Sequence, residues 1–531
     1  MTDINTLNLT ESQQYMLRLT EDQKFKITEQ FKDVIRDPKN RLSIDQVKQL
    51  IQDLKPIDKR AKTSPKNGTK GGRKPINYTE IADKFKEQNL VNGQFSYKKH
   101  RGQWYFYNGK SYIHISTDDL NANVMAYLRK QEKDPQEKQK IKASISTRNN
   151  VIEVLNSTGI GAMPSSWNMP CWIGGADASG WLVMENCIVN VESMAKQLNG
   201  DILPGGEIAR DHTPKLFAKF ATGYEYDKDA QCSRWIEYLN GVQPEPHDQE
   251  MLQMLMGLSL ITDTSYEIFA VLNGEGGTGK TVFLHVLESI VGKNNVCCLP
   301  LLKFTEKHST HLLTTHLLNI VGDLPTSDGK TSLSHIEGIL KDVASGGIMP
   351  VELKGQNPTQ APAIARNIFA TNSLPQFSDR SGAIWERLRI ICFDQHFRGT
   401  SKQNPNLKYE IVEKELPGVF NWAVEGLAKL RKLRQFPYSK KGLEIAREHR
   451  ENCDHEREFL TSFYEISNGS YVKASIIYND YRNFCQENGY RSKSAANFKM
   501  EIKRVFSTTF RNKERVAEGN TWVYKNIKKT F

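Results

Sequence analysis

The 531 residues include 72 Lys and Arg against 61 Asp and Glu, a formal charge of +11. That length allows three or four domains of roughly 150 residues, each able to bury its own core. The N-terminus lacks an apolar signal core and no apolar run approaches the ~18 residues of a membrane span, so neither export nor membrane insertion is expected.

The positive excess is concentrated in two places. Residues 55–74 carry eight Lys and Arg against one Asp, and residues 499–531 carry nine against three Glu. A polyanionic partner at these segments is the physical implication. Eight cysteines form no C-x-x-C pair and find no His at zinc spacing, which points to reduced thiols in a cytoplasmic protein.

In chain order, capping-box patterns at Thr10 with Gln13, Thr20 with Gln23 and Ser43 with Gln46 predict helix starts in a small leader unit. Lys59 to Pro75 is rich in Gly, Pro and Lys and poor in apolar groups. It reads as a flexible linker, either a solvated tether or a nonspecific nucleic-acid tail. From Asn77 a mixed unit begins, with "GQWYFYNGKSYIHI" (Gly102 to Ile115) predicting a hairpin around Asn108-Gly109. Its aromatics Trp104, Tyr105, Tyr107 and Tyr112 fit sheet packing better than base stacking. Near residue 246 an apolar helix, Asp248 to Ile261, leads into the most informative stretch.

There, Gly274, Gly279, Lys280 and Thr281 fit G-x-x-x-x-G-K-[ST], between the strand-like Ile268 to Leu272 and a helical "VFLHVLESIV". In such a loop the backbone amides of Gly274, Gly276, Gly277, Thr278 and Gly279 turn inward around phosphate oxygens, and the helix dipole adds to their pull. Lys280 reaches the outer phosphates and Thr281 ligates Mg²⁺. A second apolar strand, Leu317 to Val321, ends at Gly322-Asp323, which makes Asp323 the candidate metal-holding or water-polarising acid, with Asp328 as the fallback. A third strand ends at Asn372, where an amide could sense the γ phosphate. "RSGAIWERLRIICF" sets Arg380, Arg387 and Arg389 around a fourth strand, and an arginine offered to a neighbouring subunit would stabilise transition-state charge. Between the second and third strands, "GGIMPVELKGQNPTQAPA" predicts a hairpin tipped by Lys354, a grip for a DNA backbone or a plain structural turn.

Toward the carboxyl end the pattern predicts helix, turn, helix and a hairpin turning near Gly519. Phe498, Ile502 and Val505 share an apolar face and leave Lys499 and Lys503 exposed. This winged-helix pattern places Lys493, Lys499, Lys503, Arg511 and Lys513 as DNA contacts.

The ordered set "GEGGTGKT", "LLNIVGD", "LKDVASGG…ELKGQ", "IFATNSLPQF" and "AIWERLRIICF" resembles the superfamily 3 helicases, specifically the phage and plasmid primase-helicase family. Its layout is similar to that of replication initiators of staphylococcal pathogenicity islands and related mobile elements. The resemblance, covering about residues 95–531, implies an α/β protein. Its parts would be a leader and linker (1–76), a mixed α+β N-terminal helicase domain (77–246), an AAA+ ATPase core (247–436) and an origin-binding winged helix (437–531). It assigns Lys280 and Thr281 to the Walker A loop, Asp323 to the Walker B strand, Lys354 to the DNA hairpin, Asn372 to the sensor and Arg387 to the arginine finger. The implied activity is that of an ATP- and Mg²⁺-dependent ring helicase, usually a hexamer. It would act on single- and double-stranded DNA and a replication origin in the cytoplasm of a bacterial host, alongside host replication proteins. Relatives often end the Walker B strand in a glutamate or an acidic pair, whereas here Gly322 precedes a single Asp323. Relatives often carry a primase as well, but no paired-carboxylate cluster precedes the helicase region, so no primase activity is expected. Two other readings use the same residues: a loader that delivers a host helicase, and a nucleotide-gated DNA-binding regulator.

Overall fold

The computed structural model describes residues 76–531 except 135–140, 202–207, 323, 325–332, 353–357, 376, 378–381, 402, 453, 491, 517–518 and 531. The predicted leader helices and the basic stretch Lys59 to Pro75 lie outside the described residues.

The described chain opens with the helix Tyr78–Gln88, whose first turn is capped by Asn77 Oδ1 accepting from Glu80 N at 3.3 Å. An antiparallel meander follows, Tyr97–His100, Gln103–Tyr107 and Tyr112–Ile115. The predicted hairpin is the pairing of its last two strands, with Asn108 Oδ1 accepting from Lys110 N and Ser111 N. Both faces are covered. Trp104 and Ile115 face the helices, whereas Tyr105, Tyr107 and Tyr112 pack around Phe217. All four aromatics are at most 6% exposed, so they serve packing rather than base stacking.

The central element is a five-stranded parallel sheet: β1 (Phe269–Asn273), β2 (Val296–Cys297), β3 (Leu318–Val321), β4 (Arg366–Thr371) and β5 (Leu388–Cys392), in the order β2-β3-β4-β1-β5. Continuous apolar runs build it because a parallel sheet is buried on both sides. Alternate residues of β1 enter different cores, Ala270 and Leu272 on one face and Phe269 and Val271 on the other. Helices α1 (Ser233–Val242), α2 (Pro246–Leu258), α3 (Lys280–Val291) and α4 (Leu416–Leu433) contribute to the first of these cores. That core runs from Leu182 to Phe436 and so continues across the expected 246/247 division, because Trp235 and Tyr238 of α1 pack toward Phe283 and the loop before it. Arg431 of α4 binds Glu192 at 2.9 Å and Asp263 at 2.7 Å, tying the helical layer to the preceding unit.

The carboxyl-terminal residues own a separate core. Helix α5 (Ala474–Glu487) and helix α6 (Ala495–Val505) pack on a sheet of β6 (Tyr464–Lys473), β7 (Phe510–Val516) and β8 (Gly519–Lys529), ordered β6-β8-β7. Tyr481 of α5 stacks on Phe498 of α6 with centroids 4.0 Å apart, fixing the angle between the two helices.

Helices α2 and α4 meet backbone to backbone. A Cβ added at Gly426 would lie 2.2 Å from the Gln253 carbonyl oxygen, a contact that only main-chain movement relieves. Gly426→Ala is therefore expected to destabilise this core by about 2–4 kcal/mol. The check is the midpoint of its thermal unfolding transition, read against that of the carboxyl-terminal domain.

Candidate functional site

The loop Gly274 to Gly279 leaves the carboxyl end of β1 and feeds α3, whose N-terminus faces the same edge of the sheet. Gly277 and Gly279 hold φ of 93° and 98°, in the left-handed region that favours glycine. Neighbours close the loop from both sides. A Cβ at Gly279 would meet Val242 Cγ1 of α1 at 2.7 Å, and one at Gly277 would meet Arg398 Cβ at 2.6 Å. Tyr238 Oη donates to the Gly279 carbonyl at 3.0 Å, and burial pushes its phenol well above the ordinary range, so it stays a donor. The Phe393 amide donates to the Asn273 carbonyl at 2.7 Å and the Gly274 amide to the Thr371 carbonyl at 3.1 Å, tying the end of β1 and the start of the loop to the two flanking strands.

Lys280 curls back over the loop. Its Nζ donates to the carbonyls of Gly274 and Glu275, the latter at 2.7 Å, and lies 3.4 Å from Thr278 Oγ1. A flexible ammonium resting on main-chain carbonyls at a helix N-terminus is what phosphate oxygens would attract outward. Thr281 is exposed on the first turn, free of burial that would prevent metal ligation. Among the described residues no group of three His, Cys, Asp or Glu could hold a metal ion. Asp323 and Asp328, the expected acids, lie outside the described residues. The flanks of Asp323 are described: β3 ends at Val321, and the Leu324 amide donates to the Ala370 carbonyl of β4 at 3.2 Å.

Asn372 is exposed one residue beyond β4, beside Gly274 through the Thr371 bond. The structure thus brings Asn372 to the glycine loop. Arg387 it places at the opposite edge. Leu388 pairs with Phe269 at the start of β1, so Arg387 is a full five-residue strand, roughly 17 Å, from the loop. There it pairs with Glu267 and bonds Ser345 Oγ at 3.1 Å. Arg389 is buried, with its guanidinium 3.7 Å from the Tyr438 ring centroid and bonded to the Phe436 and Glu386 carbonyls. It is a packing arginine. Arg380 lies outside the described residues.

The hairpin strands expected around Lys354 are Ile348–Val351 and Thr359–Pro362; Lys354 lies outside the described residues. At their foot a cavity of about 50 Å³ is walled by Val351, Ala361, Arg101, Lys219 and His311. Burial holds Lys219 down to about 8.

On the carboxyl-terminal domain Lys499, Lys503, Arg511 and Lys513 are exposed, and Arg511 lies over the Trp522 ring at 4.5 Å. Lys493 corrects the sequence-based expectation. Its ammonium binds Glu501 at 2.9 Å and the buried Glu456 at 3.3 Å, because an enclosed carboxylate requires a counter-charge. It belongs to the domain's interior network rather than to an exposed face.

Comparison with known proteins bears on both regions. Residues 272–387, which span the loop, β3, the hairpin and Asn372, match a family of unknown function (DUF5906). Residues 454–529 match the RFX DNA-binding domain. The chain is 24% identical over 229 residues to a protein named "Putative helicase" from Acanthamoeba polyphaga mimivirus, an alignment covering 42% of this chain. It spans 23% of that viral protein's length. Among solved structures, the C-terminal region of NrS-1 superposes with TM-scores of 0.45 and 0.47 at 10% identity, over 84–85% of this chain and 98–99% of the other. The chain is thus a mixed α/β protein with a parallel sheet, similar over part of its length to a helicase-named protein, and its terminal domain is of the RFX type.

Sequence reasoning missed two walls of the site. Helix α1 was read as part of an earlier unit, and "DQHFR" (Asp394 to Arg398) followed the last strand unremarked, although a cation just beyond the carboxyl end of a strand next to the glycine loop was a usable signal.

Because Arg387 is a strand's length from its own loop, Arg387→Ala is expected to leave the affinity of the isolated chain for a fluorescent ATP analogue unchanged, whereas Lys280→Ala abolishes it. Fluorescence anisotropy under conditions that keep the chain monomeric checks both.

Proposed function

We propose that this chain is an ATP-dependent DNA helicase that works as a ring, usually of six copies, and also initiates replication of a phage or other mobile element by binding its origin. The observation that carries the reading is the glycine turn at the carboxyl edge of β1, with Lys280 folded over it and Asn372 alongside. The similarity to a helicase-named protein and the RFX-type terminal domain support it.

In this reading the loop amides and Lys280 hold the phosphates of ATP, and Thr281 with Asp323 holds Mg²⁺, which neutralises charge on the phosphates. Asn372 orients the attacking water. Arg387, out of reach of its own loop, serves the neighbouring subunit, and its pairing with Glu267 gives way on assembly. The hairpin bearing Lys354 grips single-stranded DNA. Lys499, Lys503, Arg511 and Lys513 meet duplex origin DNA.

A forked-DNA strand-displacement assay with ATP and Mg²⁺ tests the whole. Unwinding by the purified protein, lost in Lys280→Ala, is the expected result; turnover and DNA binding without unwinding would favour the loader, and negligible turnover the regulator. Site sharing has its own signature. Lys280→Ala and Arg387→Ala are each expected to be inactive alone. A 1:1 mixture should recover about a quarter of the wild-type turnover, since one variant supplies the loop and the other the arginine. For the terminal domain, the double variant Lys499→Ala, Lys503→Ala is expected to weaken duplex binding and reduce the slope of log K against log salt by about 2. An unchanged slope would remove α6 from the interface.

A further inference from the structure

The stretch after β5 crosses the glycine loop and is fastened to it. Beyond the Phe393 bond to Asn273, the Phe397 amide donates to the Gly277 carbonyl at 2.9 Å, and Thr400 folds back on the Phe397 carbonyl through both its amide and its hydroxyl. Phe397 packs against the core that includes α1 and α3. Arg398 therefore has a fixed root. Its Cβ lies 2.6 Å from where a Cβ at Gly277 would stand, and its Nη1 lies 3.7 Å from the corresponding point at Gly276. Residues Gly276 and Gly277 are the middle of the loop, and the Lys280 ammonium rests on the two residues just before them.

Arg398 is exposed and takes part in no hydrogen bond or ion pair among the described residues. Around it are other sources of positive potential: the Lys280 ammonium, the loop amides and the N-terminus of α3. Three positive groups converge on the arginine, and the loop's own acid, the exposed Glu275, forms no ion pair with it among the described residues, so the site favours an entering anion. A guanidinium is the side chain whose planar fork matches two phosphate oxygens at once.

We propose that Arg398 is a nucleotide-contacting residue that grips the outermost phosphate of a nucleoside triphosphate from the same chain that supplies the glycine loop. The inference rests on the nucleotide-site reading of that loop and adds to it a basis for telling triphosphate from diphosphate. It differs from the role of Arg387, which sits at the far edge of the sheet and can serve only another copy.

The test is equilibrium binding, without turnover, of a fluorescent non-hydrolysable ATP analogue and the matching ADP analogue, each with Mg²⁺, to the full chain. Arg398→Ala is expected to lower affinity for the triphosphate about tenfold or more while changing diphosphate affinity less than about twofold. Arg398→Lys should recover part of the loss, because charge is kept while the fork is removed. Unfolding midpoints of the three proteins without nucleotide should coincide. Equal binding by Arg398→Ala and wild type, or an equal loss for both nucleotides, overturns the inference. The underlying reading fails by a different sign: wild type that binds neither nucleotide, or Lys280→Ala that binds both as wild type does.

Discussion

A turn that cannot carry side chains governs this architecture. Between Asn273 and Lys280 the chain must reverse from strand to helix while α1 presses from one side and the stretch after β5 from the other, and a Cβ at Gly277 or Gly279 would fall within 3 Å of a neighbour. The surroundings are in turn arranged around that turn. Strand β1 is flanked by β4 and β5, whose ends clasp its last residue, and Gln243, just beyond α1, donates to the Cys392 carbonyl of β5 at 2.8 Å. The amides at the turn are held in place by the packing around them, the condition under which they can act on a charge without reorganising.

Charge is sorted by burial. Arg389, Lys493 and Arg431 are all enclosed or paired, and each neutralises or caps a nearby acceptor, so each is spent on holding helices, strands and carboxylates together. Lys499, Lys503, Arg511 and Arg398 remain exposed and form no ion pair among the described residues. Exposed unpaired cations interact with whatever anion approaches, which is why the two sets divide into structural and ligand-facing groups despite identical chemistry.

Much of the site was legible beforehand. The motif ending in Lys280-Thr281 announced the strand, loop and helix, and the apolar runs ending near Val321 and Thr371 announced two more strands of the same sheet, because a strand buried on both faces must be apolar throughout. The winged pattern followed from the apolar face of Phe498 and Ile502. Less legible was Lys493, whose partner Glu456 is 37 residues away and whose role depends on that contact. That helix α1 shares a core with α3 and α4 was hidden for the same reason, since composition records what a segment is made of and not which core it joins.

Local order therefore came from the chain itself. Glycine spacing, apolar periodicity and turn residues act over a handful of positions, and they were sufficient to determine the phosphate-type loop, the parallel strands and the helix-turn-helix. Strand order, the placement of Asn372 beside Gly274, the banishment of Arg387 to the far edge and the draping of Arg398 across the loop were decided only on folding. These depend on contacts between residues tens or hundreds of positions apart, and the free energy of such contacts belongs to the packed whole and is written in no single segment.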